Sequence, residues 1–402
     1  MKFQLKNGNY FFLFKIPQRN YPIQMKQIKT DFLIVGSGLY GCVLAERIAN
    51  KLKKKVTIVE KRNHIGGNCY SEVDKLTGIE FHKYGSHIFH TSNKNVWNYF
   101  KKFTSLNGYK HQVLSKYKSK IYQMPINLKT INKFYNKNFN SLEAENFVKD
   151  KAKKFRKKNP KNFEEKALMQ IGQDLYKAFI KNYTEKQWGK TPKKLPSSIF
   201  NRLPLRFNNN KTYFKNAEIE GIPLKGYTEI FKKLTSNPLI NVVYKNNFNL
   251  RQKNIVNNYI IYTGPLDKLL DYKFGKLEWR SVKFKKKIIN KKNFQDNSVV
   301  NYPEKKYKFT RIHEPRHLHK ERKYKNQTLI IKEYPQFNND EPYYPVNNTK
   351  NRLIHSKYRK YLSNNFKNIL IGGRLADYAY YDMDMTIAAA LNKFDFIKKN
   401  IK

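Results

Sequence analysis

The residues most suited to chemistry in this sequence form a glycine-rich turn near its start. The apolar run Asp31–Val35 leads directly into Gly36-Ser-Gly-Leu-Tyr-Gly41, and a second apolar run begins at Cys42. In a strand–turn–helix unit, the first glycine of this pattern makes a tight turn and the second lets the backbone approach a pyrophosphate. The third lets the helix pack against the strand, and N–H groups at the helix N-terminus hold phosphate. The pattern therefore predicts a dinucleotide site built on Gly36, Gly38 and Gly41.

The residues after the next apolar run indicate which dinucleotide binds. Glu60 ends the run Val56–Val59 at about the spacing of an acceptor for ribose hydroxyls, and its carboxylate repels the 2′-phosphate of NADP. The pair Gly66-Gly67 follows, as in flavoproteins of this fold, where the chain skirts the FAD diphosphate. The sequence has 17 glycines and no second GxGxxG motif for a nicotinamide dinucleotide. FAD is therefore the favoured cofactor.

A second glycine pair, near the C-terminus, extends the same site. The apolar run Asn368–Ile371 leads into Gly372-Gly373-Arg374, and the run Met385–Leu391 is typical of a helix. The N-terminus of such a helix, aimed at a flavin ring, stabilises negative charge on that ring. The nucleotide-binding unit is thus expected to be split along the chain.

Arginine and aromatic residues are concentrated in short motifs in the middle and C-terminal parts of the chain. Guanidinium groups pair with phosphate oxygens, phenols add neutral donors, and aromatic faces stack on a base or sugar. Taken singly, each residue is better explained by packing or as a surface cation, but the set is typical of a diphosphate site. The motifs are Tyr183–Gly189, Arg202–Arg206, Tyr213-Phe214, Thr310–Ile312, Glu341–Pro345 and Tyr378–Asp382.

Two histidines raise the alternative of a metal site. His87 and His90 are three residues apart, but neither a cysteine nor a carboxylate accompanies them at ligand spacing. No metal is therefore expected, and His87 is placed beside the flavin instead. The sequence also shows no Ser–His–Asp pattern and no paired carboxylates, so the cofactor is expected to perform the covalent chemistry.

The composition restricts the partners and the compartment. The 402 residues carry a formal net charge of +51, which raises the alternative of a nucleic-acid binder. Lysine is scattered along the chain with abundant Asn, Ile, Phe and Tyr, a joint bias that AT-rich codons produce, so no specific nucleic-acid partner is expected. Cys42 and Cys69 form no disulfide framework, which favours the reducing cytoplasm. No apolar run reaches the length of a membrane span.

The order of helical and strand patterns predicts an α/β fold with a split, Rossmann-like FAD-binding domain. A helical bundle and a β-sheet domain are inserted into it, and residues 1–29 are expected to be a disordered N-terminal extension. The FAD-binding domain takes 30–95, about 226–270 and 346–402, the helical domain takes 96–195, and the sheet domain takes about 196–225 and 271–345.

In their order along the chain, these motifs resemble those of bacterial UDP-galactopyranose mutases. The resemblance runs from Asp31 to about Leu391, nearly the whole chain apart from the N-terminal extension. Because so many specific motifs occur in the same order, the sequence is identified as a member of that family. The matching segments are Val35–Gly41, Val59–Asn68, His82–Gly85, His87–His90, Tyr183–Gly189, Gly221–Pro223, Tyr262–Pro265, Lys332–Pro335, Asp340–Val346, Gly372–Ala376 and Tyr380–Met383.

The resemblance implies a FAD enzyme that interconverts UDP-galactopyranose and UDP-galactofuranose without net redox change. In that family the flavin acts in its reduced form, and its N5 attacks the anomeric carbon and expels UDP. The sugar opens as a flavin iminium, recloses as a five-membered ring and is recaptured by UDP. The resemblance also implies an antiparallel sheet domain, a mobile loop on the helical domain, a homodimer, and a role in supplying galactofuranose to cell-surface polysaccharides.

Roles carried over by motif fall into two groups. Arg202 and Arg311 would clamp the diphosphate and, with His87, form the catalytic group. Substrate would also be contacted by phenols that donate to the diphosphate (Tyr213, Tyr344 and Tyr380), by residues that hold the uracil (Phe179 and Tyr183), and by residues near the sugar (Trp188 and Asp382). FAD would be bound by Gly36, Gly38, Leu39, Gly41, Glu60, Lys61, Gly67, Asn68, His87, Arg374 and Met383.

Two alternatives remain open. One is a FAD oxidoreductase of the amine-oxidase type on the same fold, although an aromatic cage around a neutral amine does not need the Arg and Tyr residues. The other is a polyanion binder that kept a flavin fold. The sequence also departs from the family in its N-terminal extension, in its lysine content, and in Ser86, where a small apolar residue usually precedes the flavin histidine.

Overall fold

The structure is a computed structural model that describes residues 2–4, 10–12, 28–202, 205–214, 217–251, 254–336 and 341–401, with the backbone alone for 2–4, 10–12, 201 and 202. The predicted extension 1–29 therefore lies largely outside the described residues. Within it, two three-residue strands pair antiparallel, β1 (Lys2–Gln4) with β2 (Tyr10–Phe12). The sequence did not predict this pair of short strands.

The remaining strands are distributed along the whole described chain. They are β3 (Lys29–Val35), β4 (Val56–Val59), β5 (Ser71–Val73), β6 (Glu80–His82), β7 (Phe89–Thr91), β8 (Val113–Tyr117), β9 (Lys120–Met124), β10 (Ile219–Gly221), β11 (Ile240–Val243), β12 (Ile255–Tyr262), β13 (Trp279–Ile289), β14 (Val299–Asn301), β15 (Arg311–His313), β16 (Thr328–Gln336), β17 (Tyr344–Pro345) and β18 (Ile369–Ile371).

The helices are concentrated between residues 94 and 234 and at the C-terminus. They are α1 (Leu39–Arg47), α2 (Lys94–Phe100), α3 (Leu128–Tyr135), α4 (Ser141–Ala152), α5 (Phe163–Leu175), α6 (Asn182–Trp188), α7 (Tyr227–Leu234), α8 (Leu266–Leu269), α9 (Thr349–Asn365) and α10 (Met383–Asn400), with a π-helical turn at Tyr176–Lys181 and a 3₁₀ segment at Ser197–Arg202.

A five-stranded parallel sheet organises the nucleotide-binding part of the chain. Its strand order is β11-β4-β3-β12-β18, and all four neighbouring pairs run parallel. The central strands are apolar and buried on both faces, as Leu33 and Ile58 show, because helices cover the sheet. In this sheet β3 lies between β4, which follows it in the chain, and β12, which comes later on its other side. The strand order therefore changes direction at β3. The carboxyl ends of β3 and β12 flank this topological switch point, where parallel sheets bind ligands.

A seven-stranded sheet forms the second layer, in the order β17-β13-β16-β15-β14-β8-β9. Its neighbours pair antiparallel, except that β14 and β8 run parallel. The strands β8 and β9 lie inside the stretch 96–195 for which the sequence predicts a helical domain. They form a hairpin whose turn, Lys118-Ser119, has positive φ at both residues, a conformation usually marked by Asn or Gly. Without those residues the hairpin gives no recognisable signal.

The helices α3, α4 and α5 pack around a second core of apolar side chains. Phe163, Leu175 and Tyr176 are almost completely buried there. Asn140 starts α4 with a capping box, since its side chain accepts from the Glu143 N–H while the Glu143 carboxylate accepts from the Asn140 N–H. These helices lie within the stretch 96–195 for which the sequence predicts a helical domain. They carry the chain into α6, which borders the cleft described below.

Among the residues that the structure describes, no helix combines the length and apolar character needed to cross a membrane.

Candidate active site

A cleft of about 1310 Å³ opens where the parallel sheet, the seven-stranded sheet and the helical segment meet. Its wall includes Gly36 after β3, Arg311 on β15 and Tyr183 on α6. Pockets for single small ligands have volumes of roughly 300–1,000 Å³, so this cleft has room for a dinucleotide and a second ligand. The three parts of the fold therefore contribute to one site.

The glycine turn after β3 leaves space that no side chain of the protein fills. A Cβ added at Gly36 would lie 2.3 Å from the Thr263 hydroxyl, and one at Gly41 would lie 2.2 Å from the Gly36 carbonyl oxygen. At Gly38, by contrast, an added Cβ would meet nothing within 4 Å. Gly36 and Gly41 are thus required by the chain itself, whereas Gly38 keeps open a cradle at the N-terminus of α1. That cradle fits a pyrophosphate approaching the backbone.

Glu60 lies at the end of β4 and is buried against the same turn. One of its carboxylate oxygens accepts from the Ser37 N–H (2.9 Å) and from the Ser37 hydroxyl (2.8 Å). The other accepts from the Arg62 N–H at 2.9 Å. The carboxylate thus fixes the turn and also faces the cleft, where its remaining lone pairs are available to ribose hydroxyls.

His87 belongs to the loop between β6 and β7, which also lines the cleft. Its Nδ1 lies 2.7 Å from the Gly85 carbonyl oxygen, which can only accept, so Nδ1 carries a proton. Burial lowers the pKa of His87 to about 4, aided by the Arg374 charge, although the bond to Gly85 opposes the shift. The ring is therefore neutral at neutral pH, with Nε2 as an acceptor.

The N-terminus of α10 also reaches the cleft, as the sequence predicts for the helical run after the second glycine pair. Asp382 occupies the N-cap position and Met383 is the first helical residue, and both line the cleft. Asp382 lies 3.9 Å from the His90 ring, which stacks on Phe214 with centroids 3.5 Å apart. The positive end of the helix dipole is therefore directed into the site.

Arg311 is partly buried and is held by an ion pair and a hydrogen bond to neighbouring side chains. Its Nε lies 3.6 Å from the Glu333 carboxylate, and its Nη2 donates to the Tyr183 hydroxyl. The His313 ring bridges the other Glu333 oxygen, 3.0 Å away, and the Ser86 hydroxyl, 2.8 Å away. Burial would raise the pKa of Glu333, but Arg311 and His313 bring it down to about 2. Glu333 is therefore ionised and fixes the guanidinium in the wall of the cleft.

A second cation lies beside a pair of stacked aromatic rings that also line the cleft. Tyr344 and Tyr380 stack with centroids 5.6 Å apart, and the Arg374 guanidinium lies 5.1 Å and 5.0 Å from their centroids. Arg374 donates to the Tyr343 carbonyl oxygen, while its Nε is buried without a hydrogen-bond partner. Arg311 and Arg374 thus border one volume with Tyr183, Tyr344 and Tyr380, and such donors are suited to diphosphate groups.

The remaining aromatic residues predicted to contact substrate come from the π-helical turn Tyr176–Lys181, from α6 and from the segment after the 3₁₀ segment Ser197–Arg202. Phe179 is buried among Tyr117, Tyr122 and Phe134 and reaches the cleft wall, as do Trp188 on α6 and Tyr213. The Tyr213 N–H donates to the His111 carbonyl oxygen at 3.0 Å.

The structure places every predicted site residue whose side chain it describes in the wall of this one cleft. Arg202 ends the 3₁₀ segment, and its side chain lies outside the described residues. Neither Glu333 nor His313 is given a role by the sequence alone. Glu333 lies in one of the segments that match the family, Lys332–Pro335, and this match was the only sequence feature that pointed to it. In the described part of the chain, no cluster of His, Cys, Asp and Glu could hold a metal ion.

Comparison with known proteins agrees with this geometry. Residues 178–380 match the family model described as UDP-galactopyranose mutase, and residues 34–103 match a NAD(P)-binding Rossmann-like domain. A UDP-galactopyranose mutase of Mycoplasma genitalium is 38% identical over 385 residues, which cover 90% of this chain and 93% of that protein. The chain belongs to the UDP-galactopyranose mutase family. It is therefore an enzyme of the isomerase type with FAD as its cofactor, and the open cradle at Gly38 fits that cofactor.

Two further relatives refine the comparison. A dTDP-fucopyranose mutase of Escherichia coli is 36% identical over 377 residues, which cover 92% of this chain and 99% of that protein. A solved structure of reduced UDP-galactopyranose mutase matches with a TM-score of 0.74 over 92% of this chain and 94% of that chain. Its sequence identity of 14% supports the common fold alone.

Proposed function

We propose that this mutase interconverts UDP-galactopyranose and UDP-galactofuranose. The observation that carries the proposal is the position of Arg311, Tyr344 and Tyr380 in the same cleft as the Gly38 cradle. A nucleotide-sugar diphosphate needs a fixed cation and neutral donors, and the cleft offers both next to the place of the cofactor. An amine oxidase would have no use for this charge.

Arg311 is proposed to bind the diphosphate of the substrate. Its guanidinium is oriented by Glu333 and by the Tyr183 hydroxyl, so its remaining N–H groups are directed by the protein before the ligand arrives. Such preorganised charge favours departure of an anionic UDP group. Arg202 is proposed as a second phosphate ligand, and Tyr213, Tyr344 and Tyr380 as neutral donors. Phe179 and Tyr183 are proposed to hold the uracil, with Trp188 and Asp382 near the sugar.

Reduced FAD would supply the nucleophilic N5 that attacks the anomeric carbon and so permits ring opening and contraction. Its binding would rest on the glycine turn Gly36–Gly41 with Leu39, on Glu60, Lys61, Gly67 and Asn68, and on His87, Arg374 and Met383. His87 is neutral at neutral pH, so its Nε2 can accept a hydrogen bond without adding charge. The positive end of α10 stabilises negative charge that develops beside it.

The finer organisation of the molecule is proposed on the same basis. The FAD-binding domain would comprise 30–95, about 226–270 and 346–402. The helical domain would take 96–195 apart from β8 and β9, which would belong to the sheet domain together with about 196–225 and 271–345. The enzyme is proposed to act as a cytoplasmic homodimer that supplies galactofuranose for cell-surface polysaccharides. Size determination by light scattering tests the dimer.

A second substrate is favoured by one observation. The dTDP-fucopyranose mutase of E. coli resembles this chain over 99% of its own length, so dTDP-fucopyranose is the competing candidate. Competition kinetics with both nucleotide sugars decide between them. A higher kcat/KM for UDP-galactofuranose than for dTDP-fucofuranose supports the proposal, and the reverse order replaces it.

A further inference from the structure

Lys186 makes an unusual set of contacts outside the cleft. Its ammonium nitrogen lies 3.1 Å from the Glu304 carbonyl oxygen, 3.1 Å from that of Tyr307 and 2.9 Å from that of Phe309. It also donates to the carbonyl oxygen of Tyr302. Four backbone carbonyls thus surround one ammonium, which has only three N–H donors. This arrangement resembles a cation site in which carbonyl dipoles replace water.

The contacts join two segments that both border the cleft. Lys186 belongs to α6, which also carries Tyr183 and Trp188. All four carbonyls belong to the loop 302–309, which connects β14 to β15 and so leads directly to Arg311. The ammonium therefore fixes the helix that carries Tyr183 against the loop that leads to Arg311.

The contacts around Lys186 show that its ammonium is paired with backbone carbonyls of the loop 302–309. The Glu304 carboxylate lies 3.1 Å from the Lys306 ammonium, so Glu304 serves Lys186 through its backbone oxygen. Burial lowers the pKa of Lys186 to about 8, partly offset by Glu304, which leaves the side chain charged at neutral pH. The same helix is held at its end by Arg280, which donates to the Gln187 carbonyl oxygen at 3.0 and 2.9 Å.

We propose that Lys186 is a positioning residue for substrate binding: by docking α6 on the loop 302–309, its ammonium holds Tyr183 in contact with Arg311 in the wall of the cleft. The inference rests on the proposed function, since it assumes that a nucleotide diphosphate binds to Arg311. A residue that served only packing would act through its four methylenes. A positioning ammonium acts through its charge, and the two are separable because a small cation can replace the charge alone.

The test uses the FAD-loaded enzyme with Lys186→Ala, which removes the side chain and leaves a hollow lined by carbonyl oxygens. UDP binding is measured by calorimetry at one ionic strength in tetramethylammonium, potassium or ammonium chloride. In tetramethylammonium, whose ion is too large for the hollow, we expect UDP affinity to fall about tenfold, or ~1.4 kcal/mol. Potassium or ammonium should restore most of that loss. Lys190→Ala is the matched control, because Lys190 follows the same helix but pairs with the Glu278 carboxylate at 2.8 Å.

The inference is overturned if Lys186→Ala binds UDP as tightly as the wild type, or if its loss is the same in all three salts. Should Lys186→Ala not retain FAD, Lys186→Met keeps the side-chain volume without the charge, and is expected to show the same loss with no cation response. Wild-type enzyme that binds no UDP in any salt would instead contradict the proposed function, so the two outcomes are distinguishable.

Discussion

Arg311 shows how a single, partly buried charge is prepared for a ligand. Removing a guanidinium from water is unfavourable unless an anion and hydrogen bonds compensate, and Glu333 and Tyr183 provide both. The ion pair at 3.6 Å is long, so it fixes the direction of the side chain without using all of its donors. The remaining N–H groups are available to a diphosphate in the cleft.

At this scale we predict that Arg311→Ala lowers kcat/KM by roughly 10²–10³-fold, or ~3–4 kcal/mol, because stabilisation of the departing diphosphate is lost. Bound FAD should be retained, since the Gly38 cradle does not involve Arg311. Arg202→Ala is expected to behave alike. Steady-state kinetics and the flavin absorbance measure the two effects. Arg352→Ala, at an exposed arginine of α9, is the control, and wild-type rates for both site variants would exclude this diphosphate clamp.

Individual residues were predictable where their chemistry was visible in a motif. The glycines and Glu60 could be assigned to the cleft from their spacing, and Arg311 from its charge within a short motif. The partners His313 and Ser86 could not be connected, since 227 positions separate them and only the tertiary fold brings them together. A contact of this kind depends on tertiary structure and leaves no local pattern.

The glycine turn after β3 is an element whose shape depends on the ligand as well as on the chain. We predict that Gly38→Val weakens FAD binding at least ~tenfold while leaving the melting temperature of the apoprotein nearly unchanged. The φ of Gly38, −72°, suits valine, and an added Cβ meets no protein atom within 4 Å. Equilibrium flavin titration and thermal unfolding provide the two measurements.

Gly41→Val is the matched comparison for that element. Its Cβ would lie 2.2 Å from the Gly36 carbonyl oxygen, so this variant should lose stability even without FAD. Normal flavin affinity in Gly38→Val would mean that the open space at Gly38 does not receive the dinucleotide.

Helices and strands were predictable where the period of the apolar residues and the length of the segment indicated the same type of element. The strands β3, β4, β12 and β18 are apolar runs followed by turn residues, and the long helices at 141–152 and 163–175 repeat apolar residues at three and four positions. The hairpin β8–β9 was not predicted, because its five-residue strands flank the turn Lys118-Ser119, which lacks the usual turn residues. The parallel pairing of β8 with β14 joins segments about 186 positions apart, which sequence pattern cannot specify.

For the whole molecule, buried histidines make stability depend on pH. His82 accepts the His87 N–H through Nδ1, and burial lowers its pKa well below the usual value; burial likewise lowers the pKa of His111 to about 3. Between pH ~6.5 and ~4 the unfolded chain therefore binds protons that the native chain does not. Stability rises with pH in this window and falls on acidification.

We predict that the free energy of unfolding decreases by up to ~1.4 kcal/mol per pH unit for each such histidine as the pH falls from ~6.5 to ~4. Urea unfolding of the FAD-loaded protein at pH ~7 and ~5 measures the change. A high, constant salt concentration screens the general repulsion that a net charge of +51 produces. Equal or greater stability at the lower pH would contradict the neutral, buried state assigned to these rings.

The reaction itself is tested most directly by incubating the FAD-loaded enzyme with UDP-galactofuranose, with and without dithionite, and measuring UDP-galactopyranose by chromatography. The proposed function predicts conversion by the reduced enzyme and none by the oxidised enzyme, because only reduced flavin supplies the nucleophile. Equal conversion by both forms, or no conversion with flavin bound and reduced, would contradict it.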